Sequence, residues 1–121
     1  MRFIEKENVV VVPFCPEQLG GLPTPRFSSE IQGRKGWQEG AQVLNKNGED
    51  VTRNFILGAE ISLKIAWFSK PELIIMKERS PSCGVNYVYD GAFSKKEVRG
   101  MGVAAYYLKK AGYNIISEED L

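Results

Sequence analysis

No histidine occurs anywhere in the 121 residues. That absence removes the commonest proton shuttle at neutral pH together with the commonest nitrogen ligand for metals. Ser-His-Asp triads, Cys-His pairs and histidine zinc sites are excluded with it. Cysteine is scarce as well. The chain has 2, Cys15 and Cys83, which cannot complete a four-thiolate zinc or iron-sulfur centre within one chain; any metal here needs outside ligands or an open coordination position. An excess of charge of either sign is also missing. With 16 basic against 15 acidic side chains and a formal net charge of +1, the chain has no basic field for a phosphate backbone, and no nucleic-acid partner is expected. No apolar run is long enough to span a bilayer, so no membrane partner is expected. The opening MRFIEKENVVVV interrupts any signal-like stretch with Glu5, Lys6 and Glu7. The expected location is cytoplasmic, where both cysteines stay reduced unless they carry chemistry.

What is present is enough for a core. At 43% hydrophobic and 11% aromatic residues, a chain of this length forms one compact domain over residues 1–121 and buries about two thirds of the surface it exposes when unfolded. Residues 8–14, NVVVVPF, read as a continuous β-branched strand buried on both faces and running straight into Cys15. From Pro16 to Ser29 the chain is a shaped loop, with Pro16, Pro23 and Pro25 fixing φ around Gly20 and Gly21. Glycines at 33, 36, 40 and 48 between Glu30 and Asp50 suggest a small hairpin or excursion.

Asp50 or Thr52 can cap a helix in which Phe55, Ala59, Leu63 and Ala66 share one face, and Pro71 marks its end. Residues 72–77, ELIIMK, read as a second buried strand, followed by the loop RSPSCGVNYVYDG. Gly100, Gly102 and VAAYYLKKAG suggest a second helix with Gly112 at its end, and residues 113–117 a third strand. Strands alternating with helices through short connections describe an α/β domain, an open and mainly parallel sheet flanked by helices. Ligands of such sheets lie beyond the carboxyl ends of the strands. Both cysteines follow strands, so the fold can bring them together.

Each candidate has a plain structural alternative. Cys15 could be a small buried hydrophobe, but its place at a strand end, in a proline- and glycine-shaped loop beside Glu17, tips it towards function. Cys83 sits in SPSCG, where Ser80 and Ser82 supply hydroxyls around the sulfur, and function is favoured more clearly. Without histidine, Glu17 is the obvious proton carrier, with an ordinary loop carboxylate an equal alternative. Arg79 could orient an anionic or carbonyl substrate, although a surface ion pair is the commoner role, and Arg26 carries the same ambiguity. Asp90 with Gly91 signals a turn. Gly100-x-Gly102 before a helix could cradle an anion but lacks the rest of a dinucleotide fingerprint. Phe55, Trp67, Tyr106 and Tyr107 read as core or half-buried helix residues.

The stretches VVPFCPEQLGGLPTPR, ERSPSCG, VYDGAFS and KKAGYNIISEE resemble the bacterial family first catalogued as domain of unknown function 523, whose recognised activity is thiouracil desulfidase. The resemblance covers nearly the whole chain. It implies a small α/β protein in which three cysteines hold a 4Fe-4S cluster with one iron open to the sulfur of a thiolated nucleobase. By motif, Cys15 and Cys83 match two of the cluster-ligand positions. Glu17 and Ser82 become the candidates for moving protons or positioning water, with Ser80 and Arg79 beside the substrate. Family members usually begin with a further strand carrying a C-L-L-G segment and a C-R-Y-D-G turn. This chain starts after that region, without the third cysteine, and where the family has G-D-G-V it reads Gly100, Met101, Gly102, Val103.

The leading expectation is therefore an iron-sulfur-dependent desulfidase for a small thiolated substrate such as thiouracil, releasing sulfide. The first alternative is a non-catalytic nucleobase-binding module lacking an intact cluster. A second is a redox or interaction protein in which Cys15 and Cys83 form a reversible disulfide. A sheet edge left open by the absent strand also leads to the expectation of a homodimer.

Overall fold

The computed structural model describes residues 10–121. Its elements run in the order α1 (Pro16–Leu19), β1 (Ser29–Ile31), β2 (Val43–Asn45), α2 (Thr52–Ser69), β3 (Ile74–Met76), β4 (Tyr87–Tyr89), β5 (Glu97–Arg99), α3 (Val103–Lys110) and β6 (Ile115–Ser117), closed by a 3-10 turn at Glu118–Asp120. This is the expected single α/β domain. Its parallel element pairs β3 with β6, Ile74 opposite Ile115 and Met76 opposite Ser117. Two antiparallel pairs, β1 with β2 and β4 with β5, complete the strands among the described residues. The first of these is the hairpin expected between Glu30 and Asp50. The second falls within the stretch read as an irregular loop: Val88 is buried there, and one buried residue in three gives no alternation to detect.

The long helix α2 buries Phe55, Ala59, Ser62 and Ala66, spaced three and four apart, together with Gly58, against the rest of the core. It starts one step from the expected caps. Val51 is the capping residue, while the Asp50 carboxylate accepts from Thr52 N at 2.9 Å and Thr52 Oγ1 at 2.6 Å. It ends at Lys70, whose φ of 48° is left-handed, immediately before Pro71. Helix α3 buries Val103, Ala104, Ala105 and Leu108, and packs on α2. The small residues of α3 allow the two helices to approach closely.

Two expectations fail. Residues 10–14 are not a buried strand: Val10, Val11 and Val12 are 86%, 56% and 52% exposed and belong to no ladder among the described residues. A β-branched run is buried on both faces only where both edges and both faces have neighbours. Asn8 and Val9 of that stretch lie outside the described residues. Trp67 is not core either; at 72% exposed it lies with Phe68 on the open side of α2, one residue beyond the buried Ala66.

Candidate functional site

Cys15 stands immediately before α1, a single turn started by Pro16, whose fixed φ suits the first helical position. Glycine seats this short helix on α2. A Cβ on Gly58 would collide with the Pro16 carbonyl, and one on Gly20 with the Asn54 carbonyl. The Asn54 amide then donates to Gly20 O at 2.8 Å. Cys15 is thus tied to the longest helix in the domain rather than left on a free loop.

Cys83 is held by its own loop and by the start of α3. Ser80 Oγ accepts from Ser82 N at 3.2 Å and from Cys83 N at 3.1 Å, while Gly84 N donates to Ser80 O at 2.8 Å. The first amides of α3 finish the job: Val103 N donates to Pro81 O at 2.9 Å and Ala105 N to Ser82 O at 3.0 Å. Gly102 lies directly on the Ser82–Cys83 peptide, where any Cβ would overlap the backbone. Gly102 therefore serves the cysteine loop, while Gly100 packs against Lys35 and Gly36, and the Val103 and Ala105 amides are engaged by protein carbonyls.

Glu78, which nothing in the sequence singled out, fixes the far side of that loop. It is 4% exposed. Its Oε1 accepts from Val85 N and Asn86 N at 2.8 Å and from Tyr87 N at 3.0 Å, and its Oε2 accepts from Asn86 Nδ2 at 3.2 Å. Burial by itself would raise the carboxyl pKa, but the three backbone donors and the Ser117 hydroxyl bring it from 4.5 to about 2. The only available signal was a carboxylate just after a buried strand. Glu30 plays a similar part at the Asp90 turn, where its Oε1 accepts from Gly91 N at 2.9 Å and Phe93 N at 3.1 Å. Asp90 itself accepts from Ala92 N at 2.9 Å, a turn contact as expected.

The two cysteine loops meet through one continuous set of contacts. Arg26 Nη2 donates to Cys15 Sγ at 3.6 Å and Arg26 Nε to Glu17 Oε1 at 2.9 Å. Ser82 Oγ donates to Glu17 Oε2 at 3.4 Å and lies 3.6 Å from Cys83 Sγ and 3.1 Å from Ser80 Oγ. Cys15, Glu17, Arg26, Ser80, Ser82 and Cys83 thus form one connected cluster, and both cysteines are free thiols. Burial pushes the Cys83 thiol pKa up; the Ser82 and Ser80 hydroxyls oppose this, and the nearby charges of Glu17 and Cys15 reinforce it. Arg26 is the residue whose role the sequence left open. Its Nη1 is anchored on Pro23 O at 3.1 Å and Thr24 Oγ1 at 3.0 Å, so the guanidinium is locked between the loop and the site. Arg79 takes the other course: its guanidinium pairs with Glu97 at 3.0 Å and with Glu119, in a partly exposed cluster on the surface.

As a donor set, the cluster offers two sulfurs and a carboxylate already paired with arginine. Among the described residues, no group of three or more histidine, cysteine, aspartate or glutamate side chains is placed to hold a metal ion. No described helix is long and apolar enough to cross a membrane.

Comparison with known proteins identifies a family. The family model for 2-thiouracil desulfurase matches residues 2–120. The uncharacterised protein YbbK of Bacillus subtilis (strain 168) is 41% identical over 123 residues, covering 99% of this chain and 80% of its own. Among solved structures, the [4Fe-4S]-dependent thiouracil desulfidase TudS superposes with a TM-score of 0.81 at 33% identity, over 95% of this chain and 80% of that one. The match spans both cysteine loops and the strands and helices that join them, and the chain belongs to the 2-thiouracil desulfurase family.

Proposed function

We propose that the cluster joining Cys15 and Cys83 removes sulfur from a thiolated nucleobase of the thiouracil kind, exchanging the thiocarbonyl for a carbonyl with water and releasing sulfide. The observation that supports this most directly is the convergence of two thiols on one carboxylate and one hydroxyl, with Ser82 Oγ 3.4 Å from Glu17 and 3.6 Å from Cys83 Sγ. The reaction needs a group to take a proton from water and return it to the leaving sulfur. Glu17 fills that role, with Ser82 as the hydroxyl that places the water or passes the proton. Arg26 orients Glu17 through a short charge-assisted bond. No histidine is required.

The solved relative is named for a [4Fe-4S] cluster. A cubane that keeps one iron open asks for three protein ligands, and the two sulfurs of this chain do not fill that set. The steps open to this chain by itself are those of its thiols, carboxylate and hydroxyl. That shortfall also favours a second reading, a nucleobase-binding module without turnover.

The test is sulfide release from 2-thiouracil after anaerobic treatment of the protein with iron and sulfide. Release by the wild type and its loss in Cys15→Ser and Cys83→Ser are expected. Glu17→Gln should slow turnover by about 100-fold while leaving 2-thiouracil binding in place. Full release by both cysteine variants would reject the assignment; binding of 2-thiouracil without any release by the wild type would establish the module.

A further inference from the structure

The loop that presents Ser80, Ser82 and Cys83 leaves β3 through a bend at Arg79 and returns as β4. Arg79 has a φ of 67°, a left-handed backbone uncommon for a residue that carries a Cβ. Such a conformation persists where the surroundings over-determine it, and here they do so from two sides. Arg79 N donates to Tyr87 O at 3.1 Å, and residue 79 bridges to Val88. The guanidinium is taken by Glu97 of β5 at 3.0 Å and by Glu119.

Further support for the bend comes from 40 residues along the chain. The parallel ladder of β3 and β6 ends with Met76 opposite Ser117. Beyond it a side chain takes the place of a strand: Glu118 Oε2 accepts from Glu78 N at 2.8 Å, so the amide that leads into the cysteine loop is held by a carboxylate. Ser117 is 1% exposed, and its hydroxyl joins two pieces. It accepts from Glu119 N at 3.1 Å and donates to the Glu78 carboxylate, the same group that gathers the amides of Val85, Asn86 and Tyr87. Asp120 Oδ2 closes the turn by accepting from Ser117 N at 3.3 Å. The turn is thus fixed by its own bonds, and its three contacts with the cysteine loop fall on Glu78 and Arg79.

We infer that the turn Ser117–Asp120 positions the Cys83 sulfur: Ser117 and Glu118 act through Glu78, and Glu119 through Arg79, to hold the loop on which Cys83 meets Ser82 and Glu17. They are positioning residues, acting at one remove from the thiols. Reacting groups have to be held within about 0.5 Å of their working geometry, and the residues behind them supply that constraint. The positional role stands whatever the reaction, and its effect on turnover rests on the function proposed above. Cys15 serves as a control within the same molecule, because its seat is on α2 rather than on this turn.

The experiment follows alkylation of each cysteine by iodoacetamide in the full chain, kept reduced and folded at pH 7, with mass spectrometry to separate the two sites. In Glu118→Ala and Ser117→Ala, Cys83 should react at least about fivefold faster than in the wild type while Cys15 stays within about twofold. Glu118→Gln keeps an oxygen that accepts from Glu78 N, and both of its cysteines should stay within about twofold of the wild type. Val43→Ala, a cut in the core at β2, marks general loosening and should raise both rates together. The same joint rise in Glu118→Ala would reduce the turn to a contribution to overall stability and overturn the inference. An unchanged Cys83 rate in Glu118→Ala overturns it as well, and because Glu118 is exposed that variant decides the matter even if Ser117→Ala does not fold. A Glu118→Gln chain as reactive as Glu118→Ala overturns the route through Glu78 N. Sulfide release from 2-thiouracil should show a kcat about tenfold lower in Glu118→Ala, with KM unchanged, and recover in Glu118→Gln. Absence of release by the wild type counts against the desulfidase reading alone, and the alkylation rates still decide the positional role.

Discussion

Replacing Glu78 by glutamine tests whether the cysteine loop is held by charge or merely by shape. Glutamine keeps the length and leaves one oxygen facing the amides of Val85, Asn86 and Tyr87, all within 3.0 Å of Glu78 Oε1. What it removes is the ionic character of those bonds. A hydrogen bond to a charged group is worth about 1 kcal/mol more than a neutral one, so three of them amount to about 3 kcal/mol. The carboxyl pKa leads to a similar figure, since a fall from 4.5 to about 2 also corresponds to about 3 kcal/mol. In a domain of this size that lowers the melting temperature by about 10 °C at pH 7. The pH profile carries the sign. A carboxylate with a depressed folded pKa stabilises fully above its unfolded value of 4.5, and the contribution is lost as pH falls through about 2. The difference in stability between wild type and Glu78→Gln, followed by urea unfolding from pH 7 to pH 2, should shrink across that window and stay flat above it. Equal midpoints at pH 7, or a difference that does not change down to pH 2, would refute the account.

Three further substitutions probe the seats of the two loops. Gly58→Ala, which would gain about 1 kcal/mol in an open helix, should instead cost about 1–3 kcal/mol because its Cβ meets the Pro16 carbonyl; a raised melting temperature would show that α1 does not rest there. Gly102→Ala should lower the melting temperature by a comparable amount through overlap with the Ser82–Cys83 peptide, and an unchanged melting curve would deny the contact. Arg26→Lys keeps the charge but loses the fork that joins Cys15, Glu17, Pro23 and Thr24. About a tenfold fall in sulfide release with an unchanged melting curve is expected; wild-type turnover would place Arg26 outside the chemistry.

The parts of the fold legible in the sequence are those with enough residues to show a period. Helix α2 announces itself through Phe55, Ala59 and Ala66, and β3 and β6 through runs of isoleucine. The same rule explains the misreading of residues 10–14. A run of valines looks alike whether it is flanked by strands or open to water, because burial on both faces depends on neighbours that local sequence does not record. Trp67 went wrong for a related reason: one helical step of 100° separates it from the buried Ala66, and the apolar identity of a residue does not state which side it takes.

The site was legible where chemistry is concentrated in short motifs, and hidden where it is spread over distance. Cys15 with Glu17, and Ser80 with Ser82 and Cys83, stand out as residue types in unusual loops, and the structure brings all five together. Glu78 did not stand out and the role of Arg26 stayed open, because their partners identify them and those partners are set by folding. Arg26 reaches back 11 residues to Cys15, and Glu17 reaches 65 residues to Ser82. Charge alone could not assign the two arginines: Arg26 and Arg79 carry the same group, yet one closes the pocket against a carboxylate beside a thiol and the other pairs with Glu97 and Glu119 on the surface. In a chain without histidine, an arginine that cannot give up its proton can orient Glu17 but cannot replace it as the proton carrier. Under the proposed function the acid-base work falls to Glu17, and the arrangement of Arg26, Glu17 and Ser82 makes that division of labour testable one residue at a time.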